Sequence, residues 1–393
     1  MEKLYIIGLG PGGETLLTAQ AKEALAQAER VFSTRKTEKI SFLSLSEVAL
    51  ELKKPFSGAT AVLVSGDSGF FSIAKSIVKD FAQAYEIELL PGISSIQYLS
   101  AKLKIAYDDA VLVSLHGREL NIVPQVAYRQ KIFALTGGAN KVKNICQTLA
   151  HYGLGHVKVS VGERLSLPEE KIVTGTAAEL KEQDFDDLAV IYLENPAAAN
   201  PHLPLSDTDF SRGSAPMTKE EVRWLSLQKL GISPGDIIYD IGAGTGSVAI
   251  EMARKAFNGF VYAIEKEADA CALIQENAKT HGAFNLEIIN GEAPQALSNL
   301  PAPDKAFIGG SSGQMDSILE TLLALNPQLK IAANAITLQS LQQILAGFAK
   351  YGIENTDIVC VNIAKAKKAG SYDMMLAQNP VYIISGAGGK THV

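Results

Sequence analysis

Cysteine and histidine are scarce in this chain of 393 residues, which has three cysteines and six histidines. Cys146, Cys271 and Cys360 lie too far apart for a zinc-binding spacing or a disulfide framework. We therefore expect a protein of the reducing cytoplasm that binds no metal. The histidines are dispersed, and the one beside a predicted strand end is His116, whose position favours a structural role over a catalytic one.

The chain also lacks an excess of basic residues and a long apolar run. Its formal net charge is -6, so no overall basic field attracts nucleic acid or anionic lipid. No segment is apolar enough over about 20 residues to span a bilayer, and the stretch from Met1 to Ile6 does not have the pattern of a secretion signal. Hydrophobic residues make up 47% and charged residues 20%, which is typical of a globular protein without a membrane or nucleic-acid partner.

What the chain has instead is an alternation of short apolar runs with amphipathic helical patterns, which is typical of α/β layers. Its length favours two domains over one. Residues 195–204 contain three prolines and no periodicity, so they are predicted to be a joint. We predict one domain over residues 1–200 and a second over residues 210–393. Their glycine loops differ in sequence and position, so they are not simple repeats.

The strands predicted in the first half are Lys3–Ile7, Ala61–Ser65, Ile87–Leu90, Val111–Leu115, Lys131–Leu135, Val157–Val161 and Ala189–Leu193. Those predicted in the second half are Ile237–Tyr239, Phe260–Ile264, Leu286–Ile289, Ala306–Ile308, Lys330–Ala332, Asp357–Ile363 and Pro380–Ser385.

Two helices carry start signals. The helix over Ala19–Ala28 has Thr15 or Thr18 as its cap, and in the helix near Thr218–Leu230 the residues Thr218 and Glu221 have capping-box spacing.

The most informative segment is a glycine-rich turn in the middle of the chain. Asp240-Ile241-Gly242-Ala243-Gly244-Thr245-Gly246 follows an apolar strand and opens onto a helical pattern. Glycine lets the backbone turn sharply and come close to a ligand. A dinucleotide loop has its third glycine one position later, where Ser247 stands, so a dehydrogenase is disfavoured. The spacing is typical of methyltransferases that use S-adenosylmethionine (SAM).

Three further strand ends carry residues suited to a ligand. Glu265 ends the next strand and can accept hydrogen bonds from both ribose hydroxyls. Asn290-Gly291-Glu292-Ala293-Pro294 follows the third strand, where an acid and a backbone amide commonly hold adenine. Gly309-Gly310-Ser311-Ser312-Gly313 follows the fourth. The glycines and serines of this last segment indicate close approach to a substrate or an anion cradle for a carboxylate, with a flexible connector as the alternative.

Taken in order, these segments resemble the decarboxylating precorrin C15-methyltransferases of cobalamin synthesis. The resemblance also includes the entry Met217–Arg223 and residues 334–337 and 374–380, and it covers the chain from about Phe210. It implies a Rossmann-like, seven-stranded class I SAM methyltransferase, which agrees with the seven strands predicted. The implied SAM-binding residues are Thr218, Gly242, Ala243, Gly244, Thr245, Gly246, Glu265, Glu292 and Ala293. The candidate substrate-binding residues are Gly309, Gly310, Ser311, Ser312, Gly313 and Asn334.

The first half is similar to the tetrapyrrole methylases, a different SAM-dependent fold made of two α/β subdomains. The matching segments are Gly8-Leu9-Gly10-Pro11-Gly12, Ser65-Gly66-Asp67-Ser68-Gly69, Leu90-Pro91-Gly92-Ile93-Ser94-Ser95, Leu135-Thr136-Gly137-Gly138 and Val161–Ser166. Singly each is weak, but five in order are specific. The resemblance implies that the cofactor or substrate cleft is bordered by Pro11, Gly66, Asp67, Ser68, Ser95 and Ile96.

Both halves together resemble the fused, decarboxylating precorrin-6Y C5,15-methyltransferase family or its cobalt-containing counterpart. This resemblance implies SAM as cofactor, a precorrin-6B or cobalt-precorrin-6B substrate and a homo-oligomer. The first half would methylate C5, and the second would methylate C15 and remove carbon dioxide from the C12 acetate. The alternatives are an RNA methyltransferase, which the acidic balance disfavours, and a SAM-binding module without catalysis.

Overall fold

The computed structural model describes residues 1–12, 14–37, 40–116 and 121–389. The chain forms two compact units. The first consists of Met1–Glu119 and Gln130–Pro196, and the second of Leu120–Arg129 and Ala197–Val393. A short segment from the first half of the sequence therefore packs as part of the second unit.

The first unit begins with a parallel four-stranded sheet. Its strands are β1 (Glu2–Gly8), β2 (Arg30–Ser33), β3 (Thr60–Val64) and β4 (Tyr85–Leu90), in the order β2-β3-β1-β4. Helix α1 (Ala19–Gln27) packs on one face, and α2 (Leu45–Leu52) and α3 (Ala74–Phe81) pack on the other. Tyr5 and Ile7 enter the core beside α1, whereas Leu4 and Ile6 enter the opposite core. Burial of both faces explains why β1 is a continuous apolar run.

A mixed five-stranded sheet completes the first unit after helix α4 (Ser95–Leu103). Helix α5 (Val123–Tyr128) comes after the first of its strands in sequence but belongs to the second unit. The strands are β5 (Val111–Ser114), β6 (Lys131–Leu135), β7 (Lys158–Glu163), β8 (Lys171–Thr176) and β9 (Ala189–Glu194), in the order β5-β6-β9-β7-β8. Helices α6 (Val142–His151) and α7 (Ala177–Leu180) accompany them. The first unit is thus the two-part α/β fold expected of a tetrapyrrole methylase.

The second unit has a seven-stranded sheet, as predicted. Its strands are β10 (Ile237–Ile241), β11 (Phe260–Glu265), β12 (Leu286–Asn290), β13 (Lys305–Ile308), β14 (Lys330–Ala335), β15 (Ile353–Val361) and β18 (Val381–Gly388), in the order β12-β11-β10-β13-β14-β18-β15. All neighbours are parallel except that β18 runs antiparallel to β14 and β15. The helices are α8 (Glu220–Leu230), α9 (Ser247–Lys255), α10 (Ala268–Thr280), α11 (Met315–Leu325) and α12 (Leu338–Lys350). The strand order reverses between β10 and β13, and in such sheets ligands bind at the carboxyl ends of the strands at this point.

An exposed hairpin interrupts the sequence between β15 and β18. Its strands β16 (Ala364–Ala369) and β17 (Tyr372–Ala377) pair with each other in an antiparallel sheet of their own. Short 3-10 helices occur at Glu14–Leu16, Asp207–Asp209 and Gln295–Leu297.

The two helix-cap predictions have different outcomes. Thr18 is the N-cap of α1, and its hydroxyl accepts a 3.1 Å hydrogen bond from the N–H of Ala21, which confirms the second of the two predicted caps. The capping box of α8 is wrong, because that helix begins at Glu220 and its N-cap, Lys219, makes no side-chain cap bond. The carboxylate of Glu221 instead lies 2.7 Å from the ammonium of Lys365 in the hairpin, so a partner distant in sequence takes the place of the cap.

Candidate functional sites

The glycine loop of the second unit connects β10 to α9 with three residues in the left-handed region. The φ angles of Gly242, Gly244 and Gly246 are 72°, 56° and 77°. A Cβ on Gly242 would lie 2.8 Å from the carbonyl oxygen of Gly310, and one on Gly244 would lie 2.5 Å from that of Pro216. The loop therefore needs glycine both for its conformation and for backbone-to-backbone contact with two neighbouring loops.

Glu265 ends β11 beside this loop and is buried. Its Oε2 accepts a 2.8 Å hydrogen bond from the N–H of Gly244, and its Oε1 accepts a 3.0 Å bond from the N–H of Glu267. A carboxylate has about four lone-pair sites, so each oxygen can accept one further bond. The side chain is thus held by the backbone with acceptor capacity left for two hydroxyl groups.

Asp240, the next-to-last residue of β10, has a buried carboxyl group and lines the same cavity as Glu265. Within the described part of the chain, neither of its side-chain oxygens has a hydrogen-bond partner. Burial raises the pKa of Asp240 to about 7, and the negative charge of Glu265 adds to the shift. The backbone N–H of Ala249 opposes the shift without reaching hydrogen-bonding geometry. Such an unpartnered acid is suited to a ligand that brings a donor or a positive charge.

The carboxyl ends of β10, β11, β12 and β13 surround a cavity of about 290 Å³. The predicted residues that line it are Thr218, Gly242, Ala243, Gly244, Glu265, Glu292, Ala293, Gly309, Gly310, Ser311 and Ser312. Four others do not line it: Thr245, Gly246, Gly313 and Asn334. Gly246 is the N-cap of α9 and packs against Ile274. Asn334 lies on β14, where its Oδ1 accepts a 3.1 Å bond from the hydroxyl of Ser226.

The loop after β13 is less open to anions than its composition indicates. The N–H groups of Gly309 and Gly310 both donate to the carbonyl oxygen of Ile241, at 2.9 and 3.3 Å. These bonds hold the loop against β10 and occupy two of the donors that an anion cradle would use. Ser311 and Ser312 remain as the polar side chains of this loop that line the cavity.

Lys266 supplies a positive charge that the sequence reasoning missed. It follows Glu265 and lines the cavity, with its Nζ 3.2 Å from the hydroxyl of Ser312 and 3.5 Å from a carboxylate oxygen of Glu292. The ammonium thus links two segments singled out in the sequence. Its signal was its place directly after the acid at the end of β11.

A buried arginine holds the chain segment that brings Thr218 to this cavity. Arg223 on α8 is fully buried; its Nε lies 2.8 Å from Glu251, and its Nη1 lies 3.2 Å from Asp207. Nη1 also donates a 2.8 Å bond to the carbonyl of Thr218, and Nη2 donates a 2.6 Å bond to that of Leu205. The guanidinium thereby fixes the segment that brings Thr218 to the cavity.

The first unit contains a larger cavity, of about 1000 Å³. The predicted residues that line it are Pro11, Gly66, Asp67, Ser68 and Ser95. Ile96 does not line it and is buried in the core with Leu99. His116, which the sequence favoured as structural, also lines the cavity. Residues 117–119, which follow it in the same motif, lie outside the described residues.

Hydrogen bonds bring the glycine segments of the first unit together. Gly10 and Gly66 form a two-way backbone bridge with bonds of 3.0 and 3.1 Å. The carboxylate of Asp67 accepts from the N–H of Gly69 at 2.7 Å and from that of Gly92 at 3.1 Å. A Cβ on Gly92 would lie 2.5 Å from the carbonyl oxygen of Gly66. Three segments distant in sequence thus form one wall of the cavity.

Arg35 is a further residue of this wall that the sequence reasoning missed. Its Nη1 donates a 3.0 Å bond to the carbonyl of Gly10, and its Nη2 donates a 2.6 Å bond to that of Pro11. Burial lowers the pKa of Arg35. The side chain holds the Gly-Pro-Gly turn in place.

The described ranges contain neither a metal-binding cluster nor a membrane-spanning helix. These residues contain no cluster of three or more histidine, cysteine or acidic side chains placed to hold a metal ion. Among the helices of the described residues, none is long and apolar enough to cross a membrane.

Comparison with known proteins identifies two families along the chain. Residues 3–181 match the family described as tetrapyrrole (corrin/porphyrin) methylases, and residues 209–386 match the one described as the precorrin methyltransferase domain. A protein of Sinorhizobium sp. named precorrin-6Y C(5,15)-methyltransferase (decarboxylating) is 32% identical over 384 residues, which are 93% of this chain and 92% of that protein.

Other relatives match about half of the chain. A protein of Saccharolobus solfataricus named probable cobalt-precorrin-6B C(15)-methyltransferase (decarboxylating) is 41% identical over 175 residues, 44% of this chain and 88% of that protein. The crystal structure of precorrin-6Y C5,15-methyltransferase from Geobacter metallireducens GS-15 is 35% identical and covers 47% of this chain and 97% of that one, with a TM-score of 0.44.

Proposed function

The chain belongs to the decarboxylating precorrin-6Y C(5,15)-methyltransferase family, and on this basis we propose that its two units carry out two reactions at two sites. The first unit methylates C5 of the macrocycle. The second methylates C15 and removes carbon dioxide from the acetate on C12. The observation that carries the proposal is that each unit has its own cavity, lined by the glycine and acidic residues singled out in its half of the sequence.

The residues of the second cavity fit SAM as the methyl donor. Glu265 has one free lone pair on each oxygen for the two ribose hydroxyls. The glycines of the loop Gly242–Gly246 have no side chain, so a ligand in the cavity can come close to the loop backbone. Glu292 and Ala293, at the end of β12, are assigned to the adenine. Bound SAM supplies a methyl group on a sulfonium, which is already a good leaving group, so the protein needs no nucleophile of its own.

In the second site, the residues on the substrate side bind and orient an acetate group. The ammonium of Lys266 and the hydroxyl of Ser312 lie 3.2 Å apart at the cavity, so together they can hold one carboxylate. Holding the carboxylate in this way orients the bond between its carbon and the neighbouring CH2 carbon. When this bond breaks and carbon dioxide leaves, the electrons of the bond pass into the conjugated ring. Placing the nucleophilic carbon in line with the methyl group is the other task of the cavity.

The first cavity is the larger of the two cavities described. Its volume is about 1000 Å³, at the upper end of the range of about 300–1,000 Å³ for small-molecule sites. Pro11, Gly66, Asp67, Ser68 and Ser95 are assigned to its cofactor, again SAM. Asp67 and Arg35 also fix the backbone of this site, since both form hydrogen bonds with main-chain groups.

The alternative of an RNA methyltransferase is not supported, because the relatives of this chain are named for precorrin substrates and its net charge is -6.

A homo-oligomer remains part of the proposal. Its support is the hairpin, where Tyr372, Met374, Met375 and Leu376 are each at least 58% exposed. Light scattering on a variant with Met374→Glu and Met375→Glu should then give a lower mass than the unaltered protein; equal masses would contradict this role of the hairpin.

The direct test of function is to incubate the protein with SAM and either precorrin-6B or its cobalt form and to measure the product mass. The proposal predicts a gain of two methyl groups and a loss of one carbon dioxide with one of the two substrates. Transfer RNA serves as the rival acceptor and should gain no methyl. An unchanged mass for both macrocycles would overturn the proposal.

A further inference from the structure

The first cavity is lined by a histidine side chain to which no function has been assigned. His116 follows β5 and lines the cavity together with Ser114 and Thr136, which are at the ends of neighbouring parallel strands. It is exposed to solvent rather than buried in a core. What sets His116 apart from an ordinary surface histidine such as the exposed His151 is that it lines the cavity.

Both backbone polar groups of Leu115, the residue before His116, are hydrogen-bonded. The N–H of Leu115 donates a 2.9 Å bond to the carbonyl of Leu135, and the carbonyl of Leu115 accepts a 3.0 Å bond from the side-chain amide of Asn140. Leu115 itself is fully buried. An exposed side chain on a backbone held in this way is positioned in advance, as functional groups are.

A glycine makes room for the imidazole. A Cβ on Gly137 would lie 2.2 Å from Nδ1 of His116, and the next nearest atoms, at 3.1 and 3.3 Å, belong to the same ring. Gly137 pairs with Asn140, the residue whose amide holds Leu115, through backbone bonds of 3.2 and 3.1 Å. The Thr-Gly-Gly segment after β6 is therefore shaped to seat His116 at the cavity.

The other titratable side chains that line this cavity are Arg35, Asp67, Lys75 and Asp187. Arg35 is a guanidinium without a free lone pair, and Asp67 accepts bonds from two backbone N–H groups while Asp187 lies 2.9 Å from the ammonium of Lys141, so a proton taken up by either carboxylate would weaken these contacts. Lys75, an exposed ammonium on α3, has no lone pair while it is charged. Imidazole is the side chain whose ordinary pKa lies nearest to neutral pH, so it can take up a proton and pass it on.

We propose that His116 accepts the proton that the macrocycle releases when it is methylated in the first unit, which rests on the proposed C5 activity of that unit. A pair of π electrons of the macrocycle carbon forms the new bond to the methyl carbon. The bond from methyl to sulfur breaks, and its electron pair stays on the sulfur. The macrocycle has then gained one positive charge and returns to its former charge by losing a proton to the imidazole. Because His116 is exposed, the proton passes from it to water.

The test compares kcat and KM for C5 methylation in the unaltered enzyme, in H116A and in H116Q. General base catalysis contributes about 10²–10⁴-fold, so kcat should fall by about 100-fold or more with little change in KM. The pH profile of kcat should differ between the unaltered enzyme and H116A, and added imidazole should restore part of the rate in H116A. Unchanged SAM binding at the first site, measured by titration calorimetry, shows that the first unit of each variant is folded, C15 methylation shows the same for the second unit, and H151A, a change of an exposed histidine on α6, is the matched control.

The seat of the imidazole can be tested without any turnover. The stability lost in G137A should be smaller when H116A is also present, because the clash with Nδ1 is then removed. A kcat and pH profile in H116A equal to those of the unaltered enzyme, or a loss confined to KM, would overturn the proposal. An unaltered enzyme that methylates C15 but never C5 would instead overturn the assignment of the first unit, and the role of His116 with it.

Discussion

The N–H of Gly244 donates a 2.8 Å hydrogen bond to the carboxylate of Glu265. This bond joins the glycine loop after β10 to the end of β11, and the second oxygen of Glu265 is held by the N–H of Glu267. The acid and the loop thus form one rigid wall of the second cavity before any ligand arrives. Changes on either side of the bond should therefore alter cofactor affinity more than they alter the fold.

Glu265→Gln should weaken SAM binding at the second site by about 10–100-fold, since bonds to a charged group contribute about 1.5–3 kcal/mol each. An amide must also turn its NH2 toward one of the two backbone N–H donors. Titration calorimetry should then show one of two binding events weakened, with the first site as internal reference. E287Q, an exposed change on β12, is the control. Equal affinities in all three proteins would remove Glu265 from the site.

Asp240→Asn should change how stability depends on pH. The pKa of Asp240 is raised from 3.8 to about 7, so the folded state holds this proton more tightly than the unfolded state. Its contribution to stability is complete below about pH 4 and is lost as pH rises through about 7. The unaltered protein should therefore lose up to about 4 kcal/mol relative to D240N over this range. Urea unfolding followed by the fluorescence of Trp224, the single tryptophan, measures this in the second unit; pH profiles that run parallel would contradict the expectation. D269N, exposed on α10, is the control.

Arg223→Met should destabilise the second unit by about 3–5 kcal/mol, because it leaves Glu251 buried without its cation and removes the nearest cation of Asp207, which keeps only Arg212 and Lys219 at 3.9 Å. The double variant R223M/E251Q should recover part of the loss, since the unpaired charge of Glu251 is then gone. The same Trp224 signal reports both changes. K279M, an exposed change on α10, should be neutral within about 0.5 kcal/mol. A similarly small effect of R223M would mean that the buried network does not support the fold.

Helix α5 should be needed for the stability of the second unit, although it lies in the first half of the sequence. The hydroxyl of Tyr128 donates a 2.8 Å bond to the carbonyl of Gly282, and Gln125 bonds to Asn258. Tyr128→Ala should cost about 3–5 kcal/mol, whereas Tyr128→Phe should cost about 1 kcal/mol for the lost bond. Unfolding followed at Trp224 distinguishes them, with Leu338→Ala, a change of an exposed residue at the start of α12, as control. If Y128A left that transition unmoved, α5 would not be part of this unit.

The sequence was sufficient for those parts of the fold that are written locally. Both faces of a parallel sheet are buried, so its strands are apolar runs, and the five parallel strands of the second sheet, β10 to β14, were predicted for this reason. The antiparallel strands β15 and β18 were predicted as well. The short β2, the edge strand β8 and the hairpin were missed. β16 contains three lysines and three alanines, and no large apolar or β-branched residue marks it as a strand.

The parts that could not be predicted depend on partners distant in sequence. Gln125 and Asn258, which tie α5 to the second unit, are 133 residues apart. Lys266 becomes a site residue only because β12 and β13 bring Glu292 and Ser312 to it. Glu221 has the spacing of a capping box, but its carboxylate pairs with Lys365. In each case a contact between residues distant in sequence decides between local structures that the sequence alone does not distinguish.

The central claim is that two separate sites act on one macrocycle, and Gly244→Val tests it most directly. The new side chain would meet the carbonyl of Pro216, 2.5 Å from the Cβ position, at a φ of +56°. G235V, where a Cβ meets nothing within 4 Å, is the control. Mass and NMR analysis of the product, made with an isotopically labelled methyl group, should show for G244V a methyl at C5 and an intact C12 acetate. A product from G244V with the C15 methyl and the acetate carboxyl lost, at the rate of the unaltered protein, would contradict the account.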